Sequence, residues 1–389
     1  MDRKQEVYAQ LGVSATKEEV HSAIKNESKG LYPNAFCKIL QDPFDPNYAM
    51  VIHADGAGTK SLLAYLYYKE TGDPKSFRNP AQDSMVMNLD DMGCIGAVNN
   101  IVMSNSIDRN AHRVGGDAIE QIIAGYNDFT KKLAMHGVNV ISGGGETADV
   151  GDLVATATVN STFFTRLPKD KLITFDKVAA GDVIVGLASA GQASYEDKEN
   201  SGIGSNGLTA ARHVLLKREY AEKYPEIQSS SVKNIGYAGQ FGLDDQLKGS
   251  SLSIGEALMS PTRTYLPILK DLIDNNLGAI HGVVHNSGGG LTKSMKYGDK
   301  LHYVKNDLFQ TPAIFKAIQE SGQMDLAEMF KVFNMGHRME IYTTEQQAGQ
   351  VIDIASKYGV DAKIIGHIER SKDSSNHITV QSGGKDYSY

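Results

Sequence analysis

The sequence has few cysteines, no excess of positive charge and no long apolar run, and each shortage excludes a class of protein. Cys37 and Cys94 are the only cysteines, and both lie in mixed apolar surroundings, so we expect two buried thiols rather than a disulfide or a metal site. Lys and Arg number 39 against 46 Asp and Glu, a formal net charge of −7. No overall positive field therefore exists to attract nucleic acid or an anionic membrane surface.

Long apolar segments are also missing. No run approaches the roughly 20 residues needed to cross a bilayer, and the first ten residues are polar, without the apolar core of a signal peptide. We therefore expect a cytoplasmic protein that binds neither membranes nor nucleic acid. The chain has 389 residues, 41% hydrophobic and 22% charged, which is enough for two domains that each have a core.

Strand and helix patterns alternate along both halves of the chain. Apolar segments predict strands at 48–53, 138–141, 153–164, 182–188 and 280–284, and a short one at 377–380 in an otherwise loosely held tail after Arg370. Helical patterns cover 15–30, 59–70, 118–136, 208–218 and 261–273. A polar, Lys-rich stretch from Arg166 to Asp176 separates the halves, so we place the domains at 1–170 and 171–389. The architecture predicted is α/β or α+β in two domains.

The most informative motif is Asp55-Gly56-Ala57-Gly58-Thr59-Lys60, directly after an apolar segment. Gly56 and Gly58 let the main chain approach a phosphate closely or adopt positive φ. Asp55 can hold a divalent cation, and Lys60 can neutralise phosphate oxygens. Taken alone, the hexapeptide is equally typical of an ordinary glycine-rich turn between a strand and a helix.

Further motifs follow in a fixed order: Gly144-Gly145-Glu146-Thr147-Ala148, Ser205-Asn206-Gly207, Pro261-Thr262-Arg263-Thr264-Tyr265, His285-Asn286-Ser287-Gly288-Gly289-Gly290 and Phe333-Asn334-Met335-Gly336. With the first motif, this series resembles that of the aminoimidazole ribonucleotide synthetases, the phosphoribosylformylglycinamidine cyclo-ligases of purine biosynthesis. Asn88-Leu89-Asp90-Asp91, followed by Gly96-Ala97, is similar to an acidic motif of the wider ATP-dependent superfamily. The resemblance covers about residues 48 to 370.

The resemblance implies a two-domain chain whose N-terminal domains pair in a homodimer to build a β-barrel, with ATP near the subunit junction. It implies that ATP phosphorylates the amide oxygen of formylglycinamidine ribonucleotide, after which an amidine nitrogen displaces phosphate and closes the imidazole ring. The expected cofactors are ATP and Mg²⁺, and the expected partner is a small ribonucleotide substrate.

Such phosphoryl transfer needs stabilised charge on the transferring group. We expect Asp55 and Asp91 to be Mg²⁺ ligands, because hard carboxylate oxygens suit this ion, with Asp83 and Asp90 behind them. Any one of these acids taken alone is more often a solvated charge or a helix cap. The full set of expected ATP-binding residues is Asp55, Gly56, Gly58, Thr59, Lys60, Asp91, Gly144, Gly145 and Thr147.

Three residues are expected to act in catalysis. Lys60 should contact phosphate, the alternative being a surface lysine. His285 titrates near neutral pH and can act as a general acid or base on the amidine, the alternative being a structural histidine bonded to the main chain. Glu146 can orient metal-bound water or the nucleotide, or equally serve as a helix N-cap.

The substrate site is expected around three later motifs. Ser205, Asn206 and Gly207 precede a helix and offer main-chain donors to a substrate phosphate. Arg263 can bind phosphate with two donors or can form an internal salt bridge. The expected substrate set is completed by Gly288 and Gly289.

Four segments depart from the family pattern: 31–37, 98–106, about ten extra residues at 192–203, and His337-Arg338 in place of a usual small pair. Two other functions stay open, a superfamily kinase acting on another small molecule and a non-catalytic nucleotide-binding protein. The motifs at 261–263 and 333–336 are more similar to the cyclo-ligases than to the kinases. The joint presence of Asp55, Lys60, Asp91 and His285 argues against a non-catalytic scaffold.

Overall fold

The computed structural model describes residues 7–14 and 18–389. Residues 15–17 of the first predicted helix lie outside these ranges, as do residues 1–6. The described N-terminal elements are two short helices, α1 (Val7–Gln10) and α2 (Glu18–Ala23). The first predicted helix was expected to reach residue 30, and it ends at Ala23.

A five-stranded sheet organises the first half. Its strands are β1 (Leu40–Gln41), β2 (Tyr48–Gly56), β3 (Ile101–Arg109), β4 (Val140–Asp149) and β5 (Ala157–Pro168), in the spatial order β1-β2-β5-β3-β4. Its helices are α3 (Lys60–Thr71), α4 (Arg78–Gly93) and α5 (Gly116–Met135). Strands β3 and β4 are parallel and the other neighbours are antiparallel. The described residues form an open sheet, and one chain does not close a barrel.

The two faces of this sheet differ in what covers them. Helices α4 and α5 pack on one face, and β5 alternates buried and more exposed residues accordingly. On the other face, cross-strand pairing places Ile52, Phe164, Val102 and Ile141 in one row across four strands. Ile52, Val102 and Ile141 are 58%, 38% and 49% exposed. A continuous apolar row is therefore left without cover by the described part of the chain.

A seven-stranded sheet organises the second half. Its strands are β6 (Val183–Ala188), β7 (Gly282–His285), β8 (Leu301–Lys305), β9 (His337–Thr343), β10 (Ala362–Arg370), β11 (His377–Ser382) and β12 (Lys385–Ser388), in the order β12-β11-β8-β10-β6-β9-β7. Its helices are α6 (Leu208–Leu215), α7 (Arg218–Lys223), α8 (Ile254–Met259), α9 (Leu266–Asn276), α10 (Ala313–Gly322), α11 (Leu326–Val332) and α12 (Glu345–Lys357). None of the described helices is long and apolar enough to span a membrane.

The C-terminal tail is better ordered than its composition indicates. Strand β11 pairs in parallel with β8, and β12 pairs with β11 through a two-glycine turn. Gly383 and Gly384 have φ of 57° and 73°, the left-handed geometry that such hairpin turns require. The short strand predicted at 377–380 is therefore confirmed as β11, whereas the expectation that the rest of the tail is loosely held is wrong.

Several predicted element limits also move. Strand β2 continues to Gly56, so Asp55 and Gly56 pair with Ser161 and Asn160 instead of lying in the turn. Helix α9 begins at Leu266, and Arg263 precedes it in an extended segment. The first sheet ends at Pro168 and the second begins at Val183. The boundary at 170/171 falls between the sheets, and as a limit of independently folding domains it stays a prediction.

Helix α4 lies between the two halves. It packs on β2 and β5 of the first sheet and also contacts α9 and β7 of the second half. All of its residues except Arg78, Asn79 and Gln82 are buried. Four of these buried residues are polar acids or amides that need hydrogen-bond partners, which places the chemistry of the site along this helix.

Candidate active site

Asp83 on α4 is the first of three acids that reach the second half. Its Oδ1 accepts hydrogen bonds from the Thr262 amide at 2.8 Å and the Thr262 hydroxyl at 2.6 Å. Lys60 Nζ lies 3.0 Å from the same oxygen, whereas the buried Oδ2 has no partner. Asp83 thereby fixes the segment before α9 against the start of α3.

Lys60 is fully buried and does not lie on the surface. Besides Asp83, its ammonium donates to the main-chain oxygens of Gly204, at 3.2 Å, and Ser260. Burial lowers the pKa of Lys60, and the negative charge of Asp83 opposes that effect. The alternative of a surface lysine is wrong. The ammonium already has three oxygen partners within the protein, and the expected phosphate contact stays a prediction.

Asp90 holds the start of α9. It accepts from the Thr264 hydroxyl at 2.6 Å and from the Tyr265 amide at 3.1 and 3.2 Å. Burial raises the pKa of Asp90 to about 7, although these donors and the Arg338 charge favour the ionised form. Its role in this structure is to position α9.

Asp91 lies between two histidines. His285 Nδ1 is 2.6 Å from Asp91 Oδ1, and His53 Nε2 is 3.4 Å from Oδ2. Asn88, one turn earlier on α4, contacts His53 Nδ1 through its side-chain oxygen at 2.9 Å and donates its amide to the main-chain oxygen of Asp55 at 3.2 Å. The phosphate motif and the acidic motif are thus joined through Asn88.

Asp91 and its two histidines differ in their protonation. Burial alone would raise the pKa of Asp91, but hydrogen bonds from His285 and His53 hold it well below its usual range. Burial and the Arg338 charge lower the pKa of His285 to about 4, against the effect of Asp91. Burial also disfavours the cation of His53, yet its contacts with Asp91 and Cys37 raise its pKa to about 11. Near neutral pH, His53 is therefore the cationic partner of Asp91 and His285 is neutral.

His285 is fully buried, and its Nε2 has no hydrogen-bond partner. The neutral ring donates Nδ1–H to Asp91, which leaves the Nε2 lone pair free to accept a proton. The alternative of a histidine bonded only to the main chain is therefore wrong.

The turn after β2 leaves open space. Gly58 has φ of 57°, and a Cβ at this position would meet no atom within 4 Å. A Cβ at Gly56 would lie 2.1 Å from Asn160 Oδ1, so a larger residue there would displace the Asn160 side chain. The Thr59 hydroxyl contacts that of Thr209 on α6 at 3.2 Å. The turn is thus held against the second half with room above Gly58.

Three of the motifs found in the sequence lie against one another. A Cβ at Gly288 would lie 3.8 Å from Asn206 Nδ2, and Gly207 packs against the Phe333 ring. Asn206 Oδ1 is buried without a partner, and Ser205 donates to Asp83 at 3.4 Å. Gly289, with φ of 97°, directly precedes a 3₁₀ helix that begins at Gly290. The structure therefore brings the two predicted substrate segments together.

Arg263 makes the internal salt bridge, which is the second of its two alternatives. Its guanidinium pairs with Glu196 at 2.5 and 3.0 Å and donates to the main-chain oxygens of Ala188, Ala190 and Gly191. With its donors used in this way, Arg263 anchors the extra segment 192–203. That segment forms one wall of a cleft of about 440 Å³ beside α5, and it is also held by the Lys132–Asp197 ion pair.

Glu146 and its glycines lie apart from this cluster. They belong to β4, an edge strand whose Ile141 to Thr147 stretch is exposed, and no helix follows, so the N-cap alternative is wrong. Glu146 aligns with Ser106, Asn160 and Gly56 across the sheet. Three strand spacings separate Glu146 from Gly56, about 14 Å. Within one chain, the turn after β2 is therefore not in contact with Gly144, Gly145, Glu146 or Thr147.

A second buried charge cluster lies behind the site in the second half. Glu340 on β9 accepts from Lys305 at 2.6 Å, Asn286 at 2.7 Å and Tyr342 at 2.5 Å, and His337 Nε2 is 2.9 Å away. Burial disfavours the ionised acid, but these partners hold the pKa of Glu340 well below its usual range. This carboxylate is fully satisfied.

Sequence reasoning missed His53 entirely. It predicted Cys37 correctly as a buried thiol but gave it no place in the site, and it noted Arg338 only as a departure from the family pattern. His53 has the same strand parity as Asp55, and this parity was the available signal, because residues two apart on a strand share a face. Cys37 is buried and free, and its thiol donates to the main-chain oxygen of Asp91 at 3.1 Å. No group of three or more Cys, His, Asp or Glu side chains is arranged to hold a metal ion anywhere in residues 7–14 and 18–389.

Both halves of this chain are similar in sequence to known proteins. Family models named AIR synthase related protein match residues 35–165 (N-terminal domain) and 179–378 (C-terminal domain). Phosphoribosylformylglycinamidine cyclo-ligase from Methanocaldococcus jannaschii is 31% identical over 323 residues, which is 83% of this chain and 79% of the relative. The enzyme of that name from Pyrococcus horikoshii is 30% identical over 341 residues, 86% of this chain and 84% of the relative.

Solved structures share the fold at low sequence identity. PurL from Thermotoga maritima in complex with FGAR has a TM-score of 0.56 at 14% identity, and the match covers 98% of this chain but only 54% of PurL. This chain thus spans about half the length of PurL. A structure of the HypE–HypF complex has a TM-score of 0.55 at 14% identity and covers 95% of this chain and 97% of its own.

Proposed function

The chain belongs to the AIR synthase related family, and from that premise we propose that it closes the imidazole ring of aminoimidazole ribonucleotide. The reaction consumes ATP and formylglycinamidine ribonucleotide and releases ADP and phosphate. Support comes from the curated relatives, which are cyclo-ligases, and the kinase alternative is not favoured. The structural observation that supports it best is the Asp91–His285 pair with a free Nε2 beside the phosphate turn.

His285 handles the proton in this proposal. When the amidine nitrogen attacks the phosphorylated carbon, the carbon–nitrogen bond forms, phosphate leaves with the former amide oxygen, and the nitrogen must lose a proton. The neutral His285 ring accepts that proton at Nε2, and Asp91 stabilises the imidazolium that results. Burial keeps water from competing for this position.

The ATP phosphates are assigned to the turn at 57–59, which directly follows Asp55 and Gly56 of β2 and has open space above Gly58. Asp55 and Asp91 would hold Mg²⁺, which suits two carboxylates because this ion takes its remaining ligands from water and phosphate. When bound, Mg²⁺ neutralises charge on the transferring phosphoryl group. We assign Lys60 a positioning role, because its ammonium fixes Asp83, Gly204 and Ser260.

The homodimer is part of the proposal. The uncovered apolar row of Ile52, Phe164, Val102 and Ile141 offers a hydrophobic face to a second copy. The exposed edge strand β4 offers main-chain donors and acceptors for strand pairing. A second copy whose β4 approaches the Asp55 turn would bring Gly144, Gly145, Glu146 and Thr147 to the nucleotide. A cytoplasmic location follows from the highly charged substrates, which do not cross a bilayer unaided.

The deciding experiment incubates the purified protein with ATP, Mg²⁺ and formylglycinamidine ribonucleotide and follows ADP and aminoimidazole ribonucleotide by mass spectrometry. Equal amounts of both products are expected. The His285→Asn variant should lower kcat at least a hundredfold, within the usual range for loss of a general base, with unchanged ADP affinity by calorimetry. ADP formation without the imidazole product in the wild type would overturn the proposed function.

A further inference from the structure

Arg338 is a buried arginine at one of the positions where the sequence departs from the family pattern. Its side chain is among the largest fully buried side chains of the protein. Nη2 contacts the sulfur of Met87 at 3.3 Å, a weak acceptor, and the buried Nη1 has no hydrogen-bond partner. Asp83, Asp90 and Asp91 act on Arg338 through their charges, without a direct ion pair to it in the described part of the chain.

Such a group is costly to bury. An arginine remains cationic in proteins, and a charge removed from water without a hydrogen-bonded partner costs several kcal/mol. A methionine of similar volume would avoid that cost. The protein keeps the guanidinium, so an explanation is needed beyond packing.

The guanidinium packs closely against Gly204. A Cβ on this residue would lie 2.8 Å from Nη1 and 3.1 Å from Cζ, so only glycine allows the approach. Lys60 also donates to the main-chain oxygen of Gly204. Two buried cations, one from each half of the chain, therefore contact a single glycine.

Gly204 belongs to the loop that leads into α6. Gly202, Gly204 and Gly207 have φ of 84°, 68° and 76°, and the loop ends at the N-terminus of α6, an eight-residue helix. A helix N-terminus favours anions through its free amides and dipole. Asn206 in this loop also has an unpartnered buried oxygen.

We propose that Arg338 is the specificity residue for the phosphate monoester of the ribonucleotide substrate, which accepts a hydrogen bond from Nη1 at the loop 202–207. This assignment rests on the proposed function for the identity of the ligand. The guanidinium supplies a fixed, charge-assisted donor, and the main chain before α6 supplies further donors. The bound phosphate provides the partner that Nη1 lacks in the protein alone.

The test uses the full chain, with ribose 5-phosphate as the probe for the monoester and ADP as the probe for the nucleotide. Calorimetry measures both affinities for the wild type, Arg338→Met, Arg338→Lys and Arg212→Met. Arg212 is the control, because it is also a buried arginine with one partnerless nitrogen, Nε, while its Nη1 donates to Ile227 and Tyr237. Thermal unfolding of each protein is recorded without ligand and with ribose 5-phosphate.

We expect Arg338→Met to weaken ribose 5-phosphate binding at least tenfold and to leave ADP affinity unchanged. Arg338→Lys should lose less, since it keeps the charge but not the fixed donor geometry. Arg338→Met should melt at the same or a higher temperature, because it removes an uncompensated buried charge. Arg212→Met should melt lower and bind ribose 5-phosphate like the wild type.

Unchanged ribose 5-phosphate affinity in Arg338→Met would overturn the proposal and leave Arg338 a structural residue. An equal loss of ribose 5-phosphate affinity in Arg212→Met would also overturn it. A loss of affinity for ADP alone would do the same, because Arg338 would then bind a phosphate of the nucleotide instead of the monoester. Turnover separates this inference from the proposed function. Arg338-dependent binding in a wild type that forms no imidazole product would refute ring closure alone, and normal turnover with unchanged KM in Arg338→Met would refute the Arg338 assignment alone.

Discussion

Glu340 and Arg338 lie two residues apart on β9, are both buried and have opposite surroundings. Glu340 accepts from Lys305, Asn286 and Tyr342. Arg338 has a sulfur contact and an unpartnered Nη1. Burial alone therefore does not show whether a charged side chain has a structural or a binding role, and the hydrogen-bond partners of its polar atoms must be compared as well.

The two residues differ in the source of their hydrogen-bond partners: Glu340 finds them within the protein, whereas Nη1 of Arg338 needs one from a ligand. A buried charge with every partner inside the protein stabilises the fold only as long as the set is intact. A buried charge with a free donor is destabilising until a ligand arrives, and such strain is typical of functional sites. Substitution of Glu340 should thus lower the stability of the fold, whereas substitution of Arg338 should lower the affinity for the ligand.

Glu340→Gln should have the largest effect on stability. The substitution leaves the Lys305 ammonium buried without a counter-charge, so we expect the free energy of unfolding to fall by about 3–5 kcal/mol. The midpoint of urea unfolding measures this. Glu369→Gln on β10, whose carboxylate is half exposed, serves as the control and should stay within about 0.5 kcal/mol of the wild type. Equal midpoints for the two variants would show that the buried Glu340 contributes no more to stability than the half-exposed Glu369.

Lys60→Met should have a smaller effect on stability. It leaves Asp83 without its cation, but the Thr262 amide and hydroxyl still donate to Oδ1, so we expect a loss of about 2–3 kcal/mol, below the range for breaking a buried pair outright. Turnover should fall at least tenfold through misplacement of the 202–207 loop. A variant as stable as the wild type would show that Lys60 is not a structural counter-ion.

The smallest expected effect is a change in how the stability of Glu340→Gln depends on acid pH, compared with the wild type. The folded pKa of Glu340 is depressed, so its contribution is fully present above the unfolded value near 4.5 and is lost as pH falls through the folded value. Unfolding midpoints at pH 6, 4 and 3 should therefore fall more steeply for the wild type than for Glu340→Gln. Parallel profiles would mean that other carboxylates, Asp91 first, carry the acid dependence.

Local patterns predicted much of this molecule because they depend on neighbours in sequence. The alternation along β5 and the periodicity of α5 follow from apolar spacing, and the order of motifs indicated the family. The extension of β4 through its glycines was missed, because those residues signal a loop. There, pairing with β3 outweighs local preference.

The contacts that define the site could not be predicted in this way. Asp91 and His285 are 194 positions apart, and Lys60 reaches Ser260 across 200, so their meeting depends on how the halves pack. Arg338 was noticed as a departure from the family pattern, but its lack of a partner is a property of three-dimensional packing. Sequence therefore indicated the residue types of the site better than their roles.

Helix α4 belongs to the first half by connectivity, yet its acids are completed by the second. Asp83 depends on Thr262, Asp90 on Thr264 and Asp91 on His285. A first half synthesised alone would bury three carboxylates without these partners, or would expose the helix that covers its sheet. We therefore expect that the first half produced alone does not close its core, and that it needs the second half to complete the surroundings of α4.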